Sequence, residues 1–307
     1  MPSVEANRGQ WDRGYGWPEG GDEWSLGWGG PDAQWHWSLR PRVQRFLPAP
    51  SILEIAPGYG RWTKYLLRYC NRYVGVDLAA RGIEACRRRF AEAEHAEFHV
   101  NDGRSLAMVN DRSIDFAFSF DSLVHVEEDV IGSYLNELAR VFTADGVGFI
   151  HHSNLAACTP IPRAMRLALR VAERALGRET PGFDHWRAAT MSGERLEKLS
   201  ASAGLTCIGQ EVVNWLGGRL IDCISLVTPR GSRWERPNVV VHNPYFMAEA
   251  ASIARAAHIH QDPAALPTWP AGGATSQRLG SLSRIGSVPI GPWGFSIVGP
   301  WPSRHRR

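Results

Sequence analysis

The stretch Leu53-Glu54-Ile55-Ala56-Pro57-Gly58-Tyr59-Gly60, followed by Arg61 and Thr63, is where residue types and spacing could do chemistry. An apolar run enters it and paired glycines end it. Glycine lets the backbone turn sharply and approach a ligand closely, and a helix starting there offers unpaired N–H groups. Acidic residues close the apolar runs that follow. Asp77-Leu78 comes 17 residues after Gly60, Asn101-Asp102-Gly103 next, then Phe120-Asp121. A carboxylate after the second run can accept both hydroxyls of a ribose, and one after the third can receive an amino group of a base. Three histidines stand at the same ends: His125 after the fourth run, and His151 and His152 at the end of the fifth. An imidazole, with a free pKa of about 6.5, suits a general base near neutral pH. A lone histidine is as readily a hydrogen-bonded structural residue.

The elements needed to position these groups follow from the pattern. Strands are expected at Ser51–Ile55, Tyr73–Val76, Ala96–Val100, Ile114–Phe120 and Gly146–Ile150, with helices over Arg61–Arg68 and Gly82–Glu92. A further helix carries Leu135, Leu138 and Val141 on one face. Short apolar runs alternating with helices are the sequence form of a parallel sheet covered on both faces. Ligands of such sheets bind at the carboxyl ends of the strands. Ser192 is placed to cap a helix running to Ala203, and Leu205–Trp215 with Ile221–Thr228 reads as an antiparallel pair. The fold class is therefore α/β: a Rossmann-like, seven-stranded, doubly wound sheet ending in an antiparallel strand pair.

Outside that core the chain is less regular. Six of thirteen tryptophans fall within the first 37 residues, among glycines, so residues 1–48 should pack on something, as a lid or cofactor cover, without forming a regular helix. The core occupies 49–230, with a helical insertion at 155–190. An extension at 231–262 contains a helical run over Ala248–Ala257. The tail 263–307 holds seven Pro and seven Gly in 45 residues, a level associated with disorder.

Taken together, Glu-x-Ala-x-Gly-x-Gly, Asp77, Asp102, the segment Ser119–Glu127, Asp145-Gly146 and the terminal strand pair resemble the class I S-adenosylmethionine-dependent methyltransferases. The family usually has Gly where Ala56 stands, which trims space beside the methionine moiety. A dehydrogenase using NAD would want a third glycine three residues after Gly60, where Thr63 stands. Residues 53–63, 120–127 and 151–154 look like bacterial sugar O-methyltransferases, of the kind that methylates mannose-type polysaccharides. The resemblance implies a cofactor site of Glu54, Ala56, Gly58, Gly60, Arg61, Thr63, Asp77, Leu78, Asn101, Asp102, Gly103, Phe120 and Asp121. It implies a hydroxyl of a sugar or glycosylated acceptor as the methylated group, with a phenol or amine natural product as the alternative.

His151 ranks first as base and His152 next, with His125 and Asp121 also placed among the catalytic residues. Trp35, Trp37, His185 and Trp186 are candidates to stack on a saccharide. If Mg²⁺ takes part, Asp121 with His152 would hold it, although Mg²⁺ prefers oxygen ligands.

Composition sets outer bounds. Hydrophobic residues at 44% and charged residues at 21% exclude a wholly disordered or collagen-like chain, and a net charge of +3 is too small to argue for nucleic acid. The five cysteines form no Cys-x-x-Cys pair and are read as reduced thiols. No apolar run approaches the ~20 residues of a membrane span, and the first forty lack a secretory pattern. The expectation is a cytoplasmic bacterial enzyme of small-molecule or saccharide substrates, which could act as a homodimer.

Overall fold

A computed structural model describes residues 3–158, 186–215, 218–258 and 260. The strands are β1 (Ser51–Ile55), β2 (Arg72–Asp77), β3 (Ala96–Val100), β4 (Ile114–Ser119), β5 (Phe142–Ser153), β6 (Leu205–Val213), β7 (Asp222–Pro229) and β8 (Val240–Asn243). They form one sheet in the order β3-β2-β1-β4-β5-β7-β6-β8. The first five run parallel, β7 lies antiparallel between β5 and β6, and β8 pairs parallel to β6. The expected strand pair is present, but the count among the described residues is eight rather than seven. The extra strand was hidden because Val240 and Val241 are about half exposed on the sheet edge, so no buried apolar pattern marks them.

The helices are α1 (Val4–Arg8), α2 (Pro31–Gln34), α3 (Arg40–Val43), α4 (Thr63–Leu66), α5 (Ala80–Arg89), α6 (Glu128–Val141), α7 (Leu155–Cys158), α8 (Gly193–Ser202) and α9 (Phe246–His258). Ser192 caps α8 by accepting the Arg195 N–H, as its position predicts. Every residue of β1 is buried, so the strand reads as a continuous apolar run broken only by Glu54. Alternate residues then serve two cores. Leu53 and Ile55 pack with Leu135, Leu138 and Leu196 from α6 and α8. Ile52 packs on the other side with Trp28, Trp35, Leu39 and Phe246.

That second core corrects the expectation for the leader. Residues 31–46 form a continuous helical run, α2 and α3 joined by a π-helical stretch at Trp35–Leu39 and closed by a 3-10 turn at Gln44–Phe46. Gly30 and Pro31 open it as a helix start. The leader and α9 cover one sheet face together. Residues 159–185, which carry most of the expected insertion, and the Pro/Gly-rich tail lie outside the described residues. No helix among the described residues is long and apolar enough to cross a membrane.

Candidate active site

β1 and β4 lie side by side where the strand order reverses, and it is outside the carboxyl ends of strands at such a point that an open α/β sheet has its ligand crevice. The turn after β1 is built for close approach. Ala56, Gly58 and Gly60 all have left-handed backbones, φ +60°, +57° and +85°. A Cβ on Gly60 would meet Phe90 at 2.4 Å, so no side chain fits there. Asp77 holds the turn, accepting from the N–H of Gly58 and of Ala79, both at 2.9 Å. Burial pushes its carboxyl up to about 6. Each carboxylate oxygen can accept more than one bond, so capacity remains for ribose hydroxyls.

The loop after β3 is similarly self-braced. Asn101 is consumed by the Gly103 N–H, the Ser105 carbonyl and Tyr134, whereas Asp102 is exposed and uses only Oδ1, on the N–H groups of Arg104 and Ser105. Leu78 is half-buried opposite Gly103. Asp77 and Asp102 thus keep acceptor capacity that the hydroxyls and amino group of an adenosyl ligand could use. Glu54 and Thr63 do not face it. Thr63 and Tyr73 donate to Glu54 at 2.7 and 2.5 Å, and burial raises the Glu54 carboxyl to about 7, so the group stitches β1, β2 and α4 together.

The three histidines part ways because side chains on a strand alternate faces. His152 has both nitrogens engaged, with the Ser153 carbonyl at 2.9 Å and the Ser225 hydroxyl at 2.8 Å, and burial holds it down at about 4. It has no free lone pair. His151, also fully buried, stacks on Phe120 at 4.5 Å and accepts the Asp121 N–H on Nδ1 at 3.1 Å. Its Nε2 therefore carries the proton and lies 3.4 Å from Asp222 Oδ2, longer than a well-formed hydrogen bond. Neither nitrogen of His151 can accept a substrate proton in this arrangement, against the first ranking by sequence.

His125 differs. Its Nδ1 donates to the Trp186 carbonyl at 3.1 Å, which leaves Nε2 as an unprotonated acceptor, and no described residue bonds it. Burial, with the Arg187 charge nearby, holds it down at about 4. Around it stand Trp11, with ring centroids 5.2 Å apart, and Trp186, 6.4 Å from Trp11 and 51% exposed.

Asp121 pairs with Arg61 at 2.8 Å and holds a left-handed backbone, φ +64°. It is not brought to His152, and no group of three or more metal-ligating side chains occurs among the described residues. The Mg²⁺ pair suggested by sequence does not assemble. Trp35 is likewise withdrawn from any substrate: it is buried and stacks on Tyr65 at 4.9 Å. Trp37 is partly exposed on the same helical run, and His185 lies outside the described residues.

Sequence reasoning missed the leader's contacts and one buried ion pair. Val4 reaches toward Gly103, Asn7 donates to the His125 carbonyl at 2.9 Å, Asp12 accepts the Arg81 N–H, and Trp17 stacks on Tyr59 at 4.6 Å beside Gly58. The leader thus touches the segments that follow β1, β2, β3 and β4. Arg187 grips fully buried Asp222 through Nε at 3.0 Å and Nη2 at 2.8 Å. Burial alone would raise Asp222, but Arg187 and His151 outweigh it and hold the carboxyl below the usual range. An aspartate opening a buried, mostly apolar strand was the available signal.

Comparison with known proteins follows this geometry. Residues 52–146 match a family described as a methyltransferase domain. No curated protein matches the chain. Among solved structures, the PH0226 protein of Pyrococcus horikoshii OT3 is 21% identical, with 63% of this chain and 88% of that one covered and a TM-score of 0.45. A TehB-like SAM-dependent methyltransferase of Corynebacterium glutamicum is 17% identical, covering 64% and 89% at a TM-score of 0.43. DhpI in its SAH complex is 16% identical, covering 74% and 94% at 0.46.

Proposed function

We propose that this chain, whose residues 52–146 match a methyltransferase domain family, is an S-adenosylmethionine-dependent enzyme that methylates a hydroxyl of a sugar or glycosylated acceptor with His125 as general base. The observation that carries the reading is the unprotonated Nε2 of His125, to which no described residue bonds, fixed in that tautomer by the Trp186 carbonyl. The cofactor supplies a methyl on a positive sulfur: the carbon–sulfur bond breaks, a carbon–oxygen bond forms, and a neutral thioether leaves. The chain's own residues supply position and a proton acceptor. Gly58, Gly60, Asp77, Leu78, Asp102 and Gly103 would hold the adenosyl portion, and Arg61 with Asp121 closes the floor between the turn and the acceptor side.

Holding an oxygen in line at near-attack distance is worth roughly 7–11 kcal/mol, and the base adds ~10²–10⁴-fold. Trp11 and Trp186 offer apolar ring faces on which the C–H face of a sugar can stack. The same rings suit a phenol, and a panel of glycosides against phenols separates the two by rate.

His125→Asn is expected to lower turnover by ~10²–10⁴-fold while calorimetry with S-adenosylhomocysteine is unchanged; undiminished turnover would refute the role. Burial, with the Arg187 charge, holds His125 down at about 4, so the imidazole is neutral well below the ordinary histidine range. The acid limb of kcat/KM should therefore fall near pH 4–5 rather than 6.5, which a pH–rate profile reads directly.

A further inference from the structure

We infer that Asp222 is a positioning residue of the methyl-transfer site, orienting the base through one arm and the floor of the cofactor turn through the other; the inference rests on the reading above. Asp222 opens β7, sits opposite Ser153 of β5 and Val213 of β6, and is wholly excluded from solvent. A carboxylate in that place is costly unless its partners are fixed.

The first arm runs to the base. Arg187, 4% exposed and stacked over Trp215 at 4.6 Å, meets the carboxylate with two parallel hydrogen bonds. Such a fork fixes direction as well as distance. The preceding residue, Trp186, has φ +62°, a conformation a tryptophan rarely adopts, and its carbonyl takes the Nδ1 proton of His125. Holding Arg187 therefore holds the carbonyl that selects the His125 tautomer. The second arm runs to the turn. Asp222 Oδ2 faces Nε2 of His151, Nδ1 of His151 accepts the N–H of Asp121, and the Asp121 carboxylate pairs with Arg61, next after Gly60. Asp121 too has a left-handed backbone. Two strained non-glycine residues, Trp186 and Asp121, are thus linked to one carboxylate, and such strain persists only where its surroundings over-determine it.

The test reads histidine tautomers by ¹⁵N NMR of the full chain at pH 7. In the unaltered protein His125 should be the Nδ1–H form and His151 the Nε2–H form; the Nε2–H form at His125 would overturn the inference. In Asp222→Asn the His125 resonances should move toward a mixture of tautomers, and Asp222→Glu should restore part of the single form. A lower melting temperature with an unchanged His125 tautomer would mean a merely structural role and would also overturn it. If D222N does not fold, Arg187→Lys, which keeps the charge and loses the fork, should give the same loss of tautomer selection. Calorimetry with S-adenosylhomocysteine on the unaltered protein separates the two claims: no binding removes the methyl-transfer reading, whereas the tautomers judge the positioning role independently.

Discussion

Glu54 illustrates how a residue can belong to a cofactor motif by sequence and to the scaffold by position. Its carboxyl titrates at about 7 in the fold, against 4.5 ordinarily, chiefly because it is buried. The stability it contributes is full below about pH 4.5 and lost as pH rises through 7. Glu54→Gln keeps an acceptor for Thr63 and Tyr73 and removes the charge. It should stabilise the protein by about 3 kcal/mol at pH 8 and by nearly nothing at pH 4.5, measured by urea denaturation at the two values. The motif showed in the sequence because its types and spacing are local. The division of labour among the histidines was not legible in the same way. Alternation could say that His151 and His152 face opposite sides, but their partners, Ser225 and Asp222, come some 70 residues later. Trp186, which leaves His125 with a free lone pair, is 61 residues away.

At the scale of elements, the turn between β1 and α4 and the leader above it are the parts on which ligand binding should act. Gly60→Ala would put a methyl group into Phe90 and force a left-handed alanine. A loss of at least 1–3 kcal/mol of stability, with weakened S-adenosylhomocysteine binding, is expected from denaturation and calorimetry. The leader holds Trp11 on His125 and Trp17 on Tyr59, so filling the cradle must disturb those stacks. Addition of S-adenosylhomocysteine should change tryptophan fluorescence, and Trp17→Phe should remove part of the change. Strands β1 to β7 and α5, α6 and α8 were readable from periodicity. The leader's helical run was not, because its short, mixed stretch of indoles, prolines and arginines lacks the spacing of an amphipathic face, and its order comes from packing of Trp35 on Tyr65 and of Arg42 over Phe246 rather than from propensity.

Across the whole molecule, the two ends of the described chain meet over the core. Arg42 of the leader bonds Glu211 of β6 and Glu249 of α9, each at 2.6 Å, and lies 5.1 Å over the ring of Phe246. Removing the cation would leave two carboxylates facing one another. Arg42→Met should cost about 3 kcal/mol, at the low end for a buried pair since the side chains retain some solvent contact, and chemical denaturation measures it. The parallel order of the first five strands followed from alternation of strand and helix. This junction did not, since it joins residues about 200 positions apart.

That separation has a consequence for how the protein is made. The indole of Trp28 leaves the ribosome long before Trp215 and Phe246, the rings it packs on, exist, so this early-synthesised aromatic surface must wait, uncovered, for the latest. Such delayed closure is slow and leaves nascent chains sticky. Expression should be sensitive to chaperone supply, and ribosome-bound chains stopped before α9 should be readily digested at their amino end.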